Sequence, residues 1–107
     1  MEFTTNIINT TQSKKDAHAA TYMPIYSNAA FEFNSAEDME DAFLGRSPDH
    51  IYSRISNPTV EHFEQRYKAA TGALAVTALS TGMAAISNVL LTVARSGDTM
   101  ITSKHLF

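Results

Sequence analysis

A tyrosine and an arginine stand two residues apart in "IYSRISNPT", residues 51–59. Arg54 carries a planar guanidinium that can grip two phosphate oxygens at once, and the nearby Tyr52 hydroxyl can donate a further bond. On extended chain, alternation puts positions 52 and 54 on the same side, within reach of one ligand. A surface loop with one ring tucked into a groove accounts for the same two residues. On this stretch alone both readings stand.

A second candidate lies at Leu79 to Ala85, "LSTGMAA", where an apolar run passes into a helical pattern through small residues. Ser80, Thr81 and Gly82 leave the backbone open to an approaching anion, and Met83 is the one bulky side chain. The first N–H groups of a helix have no internal partners and carry the positive end of its dipole, so a phosphate placed there meets donors that already exist. In an open parallel sheet this junction lies at the carboxyl end of a strand, where ligands of such folds bind. The plainer account makes Gly82 a tight turn and Ser80 or Thr81 an N-cap.

Other chemistry-bearing residues are less suggestive. His18, His50, His62 and His105 show no metal-ligand spacing, and surface or core-edge placement is the expectation for them. The acids at 37–38 and 40–41 are adjacent rather than facing and read as solvated helix surface. Lys14, Lys15, Lys68 and Lys104 lie in no evidently buried setting of the kind that makes an amine nucleophile.

The elements that must position these groups follow from periodicity and capping. Residues 1 to about 22 have no sustained period and read as an arm unable to bury a face of its own. "MPIYSNAAFEF" (23–33) reads as extended apolar chain needing something to pack against. Ser35 opens a helix over about 36–45, with Glu37 and Asp38 in its first turn. Asn57 as N-cap, Pro58 at the first position and Gly72 at the end delimit a helix over 58–71. Its apolar stripe is Val60, Phe63, Tyr67 and Ala70, with Glu61, Glu64, Gln65, Arg66 and Lys68 on the wet side. "ALAVTAL" (73–79) lacks polar alternation and reads as a strand covered on both faces. A helix over about 82–95, with Met83, Ile86, Leu90 and Val93 at helical spacing, and a second strand over 99–102 complete a strand–helix–strand unit. The expected class is therefore α/β, divided into an arm and extended segment with one short helix (1–57) and the helix, strand, helix and strand of 58–107.

Bulk properties remove several function classes. The 107 residues suffice for at most one small domain or part of a larger one. Eight basic against eleven acidic residues, a net charge of −3, give no electrostatic case for nucleic-acid binding. With no cysteine there is no disulfide framework and no thiolate zinc site. Apolar runs are broken by Thr, Ser and Gly before they reach spanning length, and the N-terminus lacks a signal-peptide layout, so a cytoplasmic protein without membrane contact is expected.

The order "PIY" (24–26), "YSRISNPT" (52–59), "LSTGMAAI" (79–86) and "GDTMITSKHLF" (97–107) resembles the cysteine and methionine metabolism family of pyridoxal phosphate enzymes. The resemblance covers about the last 85 residues. It implies a fold-type I transferase whose large domain begins within this chain, a pyridoxal 5′-phosphate (PLP) cofactor, an amino-acid substrate and a homo-oligomer, a tetramer of dimers. It implies that Tyr52 and Arg54 reach across a subunit interface to bind the neighbour's cofactor phosphate, with the Tyr52 phenol also assisting proton transfer near the substrate. It places the backbone amides of Gly82 and Met83 on the phosphate within the protomer, with Ser80 and Thr81 nearby.

Within that family the segments 23–33 and 47–59 look most like the O-acetylhomoserine sulfhydrylases, which replace acetate at the γ carbon by sulfide or a thiol. Cystathionine γ-synthase and the methionine and cystathionine γ-lyases are the alternatives. The family's Schiff-base lysine, its pyridine-pairing aspartate, its carboxylate-gripping arginine and its ring-stacking aromatic are expected beyond Phe107. The chain therefore reads as the N-terminal portion of such an enzyme, inactive by itself. An interaction module, packing its arm and "PIY" segment on a partner, is the reading from another class.

Overall fold

The computed structural model describes residues 3–8 and 18–105. Residues 9–17, with Lys14 and Lys15 of the expected arm, and the closing Leu106 and Phe107 lie outside the described residues. Four helices follow in order: α1 (Phe3–Ile8), α2 (Ala36–Phe43), α3 (Pro58–Thr71) and α4 (Gly82–Val93). They fall into two compact units, Met1–Thr77 and Ala78–Phe107, each taken here by itself.

In the first unit the helix limits follow from local capping. Ser35 Oγ accepts from Asp38 N at 3.0 Å and starts α2, which ends at Phe43, two residues before the expected limit, with Leu44 as C-cap and Gly45 at φ 69°. Asn57 Oδ1 accepts from Thr59 N at 2.8 Å, Pro58 opens α3, and Gly72 at φ 70° closes it by donating to Lys68 O. A left-handed residue costs glycine no Cβ clash, so the chain turns out of the helix there without strain.

The arm departs from expectation. Phe3–Ile8 is a helix and packs on α3. Arg66, assigned by periodicity to the wet side, is half-buried and donates from Nε to Ile7 O at 3.0 Å, satisfying a carbonyl at the end of α1 that has no helical partner. The covered face of α3 is consequently that of Thr59, His62, Arg66 and Ala70. Of the expected apolar stripe, Val60, Phe63 and Tyr67 remain exposed. Among the described residues only Ala42 and Asn57 are buried.

The second unit holds α4, capped by Thr81, whose Oγ1 accepts from Ala84 N at 3.0 Å. The helix ends two residues early because Ala94 is extended and Asp98 Oδ2 takes the Arg95 N–H at 2.7 Å, folding the chain into a turn. Met83, Ile86, Leu90 and Val93 are exposed.

The stretches read as buried strands do not form a sheet. Among the described residues the one β pairing is an antiparallel bridge between Ala30 and Tyr52. Leu74 and Ile101 are 94% and 96% exposed. A strand exists only against a neighbour that takes its N–H and C=O groups, and residues 73–79 and 99–102 have none among the described residues. The apolar runs are present, but the layers they call for are not. No helix among the described residues is long and apolar enough to cross a membrane.

Two outcomes follow from this packing. With so many large apolar side chains exposed, the isolated 107-residue chain should self-associate or stay partly ordered; sedimentation showing a monomer with a sharp unfolding transition would contradict this. His62 has its pKa lowered, first by burial and then by the Arg66 guanidinium one turn along α3. The unfolded chain then binds more protons than the folded one, so stability is full above the ordinary value of about 6.5 and falls as the pH drops through it. Acidification from pH 7 to 5 should weaken the helical circular dichroism, and His62→Gln should flatten that dependence; an unchanged slope would remove the assignment.

Candidate functional site

One candidate site, in the first unit, is built by residues 26–31 lying against 51–59. Phe31 N donates to Ile51 O at 3.3 Å and Ser53 N to Ala29 O at 2.8 Å, flanking the Ala30–Tyr52 bridge. Extended chain was expected to continue through Arg54. Instead the Tyr52 carbonyl accepts from both Ile55 N (2.8 Å) and Ser56 N (3.0 Å), bending residues 53–55 into a turn. Tyr52 and Arg54 do come side by side, through that turn rather than by alternation. The Arg54 guanidinium carbon sits 5.0 Å from the centre of the Tyr52 ring, an attraction of positive charge to the aromatic face.

Asn57 holds this arrangement together. Its Nδ2 donates to Tyr26 O at 3.0 Å and to Ser53 Oγ at 2.8 Å, while Oδ1 caps α3. Ser53 Oγ in turn donates a hydrogen bond to Asn28 O. Thr59 Oγ1 accepts from Tyr26 N at 2.9 Å. One asparagine therefore anchors the helix, the turn and the 26–29 segment together. The sequence pattern marked Asn57 and Pro58 as a helix start; it carried no sign that Asn57 and Thr59 also anchor "PIY", because that pairing spans some thirty residues.

Between these segments lies a cleft of about 700 Å³, open to solvent and lined by Ile25, Tyr26, Tyr52, Arg54, Asn57 and Val60 among others. Arg54 is exposed, and its guanidinium donors meet no acceptor among the described residues beyond the contact with the ring. A planar fork of uncommitted donors at the edge of a partly apolar cleft suits a group with an anionic end and a flat apolar body.

A separate candidate site lies in the other unit. Thr81 commits its hydroxyl to the cap, so that part of the plainer expectation holds. The cap reaches Ala84 N, and the backbone N–H groups of Gly82 and Met83 keep no acceptor among the described residues. A Cβ built on Gly82 meets nothing within 4 Å, so the approach to these donors is open. Ser80 is exposed beside them. These donors fit a phosphate, as does Arg54.

Residues 4–107 match the family described as Cys/Met metabolism PLP-dependent enzyme. The chain is 38% identical over 105 residues to O-acetyl-L-homoserine sulfhydrylase of Corynebacterium glutamicum, covering 98% of this chain and 24% of that protein. It is 36% identical to L-methionine gamma-lyase of Pseudomonas putida, covering 98% of this chain and 26% of that protein. O-succinylhomoserine sulfhydrylase of Pseudomonas aeruginosa is 35% identical over 78% of this chain and 21% of its own length. The chain thus spans about a quarter of the length of these curated relatives.

Replacing Asn57 by alanine removes the cap of α3 and leaves Tyr26 O and Thr59 N without their partner. A cost of about 1–2 kcal/mol is expected, which should speed amide exchange at Thr59 and its neighbours about 5- to 30-fold. Unchanged protection by hydrogen-exchange mass spectrometry would show that the asparagine is not the anchor.

Proposed function

The chain belongs to the Cys/Met metabolism family of PLP-dependent enzymes, and we propose that the protein it represents replaces the γ substituent of a homoserine ester by sulfide or a thiol. The observation that carries this reading is the pairing of the family match with two sets of uncommitted anion donors, Arg54 and the Gly82–Met83 amides, at the positions where the family motif calls for phosphate contact. Two sulfhydrylases of homoserine esters among the relatives support the substrate class. A γ-lyase is the second reading, favoured by the 36% identity to a methionine gamma-lyase over the same span.

Bound PLP supplies an electron sink for bond breaking at the substrate's carbons. The Gly82 and Met83 amides hold its phosphate within one protomer, with Ser80 and Thr81 beside them, at the positive end of the α4 dipole. Arg54 grips the same group of a neighbouring subunit with a bidentate fork. Tyr52 presents its Oη near the substrate, where a phenol can take up and return a proton, and the Arg54 guanidinium packs against its ring. Ile25 and Val60 give the wall of the cleft its apolar surface. The protein is a cytoplasmic homotetramer in this reading, with residues 1–57 as arm and entry segment and 58–107 opening the fold-type I large domain.

Arg54→Ala in the assembled protein should weaken PLP retention by about 10- to 100-fold, the loss of one charge-assisted pair of bonds. Equilibrium dialysis finding unchanged affinity would remove the phosphate role. In the same preparation, release of the ester's acid with sulfide uptake would support the sulfhydrylase, and oxo-acid release from methionine the lyase.

A further inference from the structure

The turn bearing Tyr52 and Arg54 is closed across its neck by a side chain that no motif singled out. His50 precedes the turn and Ser56 follows it, and His50 Nδ1 lies 2.9 Å from Ser56 Oγ. On the other side of the ring, Nε2 lies 3.3 Å from Glu61 Oε2, in the first turn of α3. The imidazole is mostly covered, its side chain 19% exposed, and packs at 5.5 Å between ring centres against Phe31. One ring therefore joins the entry of the turn, its exit and the helix behind it.

An ionised Glu61 only accepts, so Nε2 carries a proton, and in the neutral ring Nδ1 takes the Ser56 hydroxyl proton. In the charged ring Nδ1 donates to the Ser56 oxygen instead. The tie survives in either state, so its effect is one of geometry. The backbone ladder to residues 29–31 holds the Tyr52 side of the turn, reaching no further than Ser53. Arg54 follows the last of those bonds, and the next side-chain restraints on the chain are those at Ser56 and Asn57.

We propose that His50 is a positioning residue for Arg54: by tying Ser56 and Glu61 across the neck of the turn, it holds the guanidinium ready for a phosphate group. The inference rests on the reading that Arg54 grips the cofactor phosphate. Chain that must be ordered when a ligand binds subtracts from affinity. Beside the bonds to the Tyr52 carbonyl and the Asn57–Ser53 bond, His50 helps fix beforehand the backbone that carries Arg54.

The test compares dissociation constants of PLP and of pyridoxal, which lacks the phosphate, in the assembled protein. Their ratio reports the phosphate contacts alone. His50→Ala should lower the phosphate preference about threefold to tenfold, with pyridoxal affinity unchanged. His50→Asn, which can still pair with Ser56, should restore most of it, and Ser56→Ala should repeat the loss. If His50 acts through Arg54, adding His50→Ala to Arg54→Ala should lower the ratio no further. An unchanged ratio in His50→Ala beside a lowered one in Arg54→Ala overturns this inference and leaves the phosphate reading intact. So does an equal loss for both ligands, or a full additional loss in the double variant. An unchanged ratio in Arg54→Ala overturns the phosphate reading and this inference with it.

Discussion

The hydrogen bonds of the Asn57 amide are the constraint on which the first unit depends. Asn57 is the one buried polar residue among those described, 6% exposed, and its carboxamide meets three partners from three segments. A buried amide is tolerated only when its donors and acceptor are engaged, and here each engagement fixes a different piece of chain. Helix α3 starts where Oδ1 caps it; the turn and the 26–29 segment sit where Nδ2 holds them. Tyr52 and Arg54 are placed as a result, without having to be packed themselves.

That separation of roles recurs in each unit. Around Asn57, Ser53 and Thr59 the polar groups are engaged with one another, whereas Arg54 and the Gly82 and Met83 amides are not. Thr81 shows the division within a single motif: its hydroxyl caps the helix at Ala84 N, and the Gly82 and Met83 N–H groups that follow it keep no acceptor among the described residues.

The features legible in the sequence were those decided within a few residues. Ser35, Asn57, Pro58, Gly72 and Thr81 are caps whose partners lie within four positions, so the starts of α2, α3 and α4 could be read from local pattern. The four ordered motifs were equally readable and led to the right family. What escaped depends on distant pairing. Helix α1 is joined to α3 by Arg66, fifty-nine positions away, and so the wet side of α3 was misassigned. The turn at 53–55 arises because Ala29 and Phe31 hold one flank of Tyr52, which no alternation rule contains. His50 was expected at the surface or core edge and is partly covered, but its bonds to Ser56 and Glu61 could not be foreseen because these become its neighbours only once that turn is made. The expected strands are not formed among the described residues for another reason: periodicity reports what a segment would bury, and a sheet needs neighbours to receive it.

The pairing of 26–31 with 51–59 also closes a loop, and residues 34–49, with α2, are what it encloses. Closing a flexible loop costs only about 0.6 kcal/mol more for each doubling of its length. Since α2 contributes no bond to the turn, this excursion is free to vary in length and composition while the ends stay pinned. Evolution can therefore reshape this excursion without disturbing the residues within 25–29 and 52–60 that line the cleft.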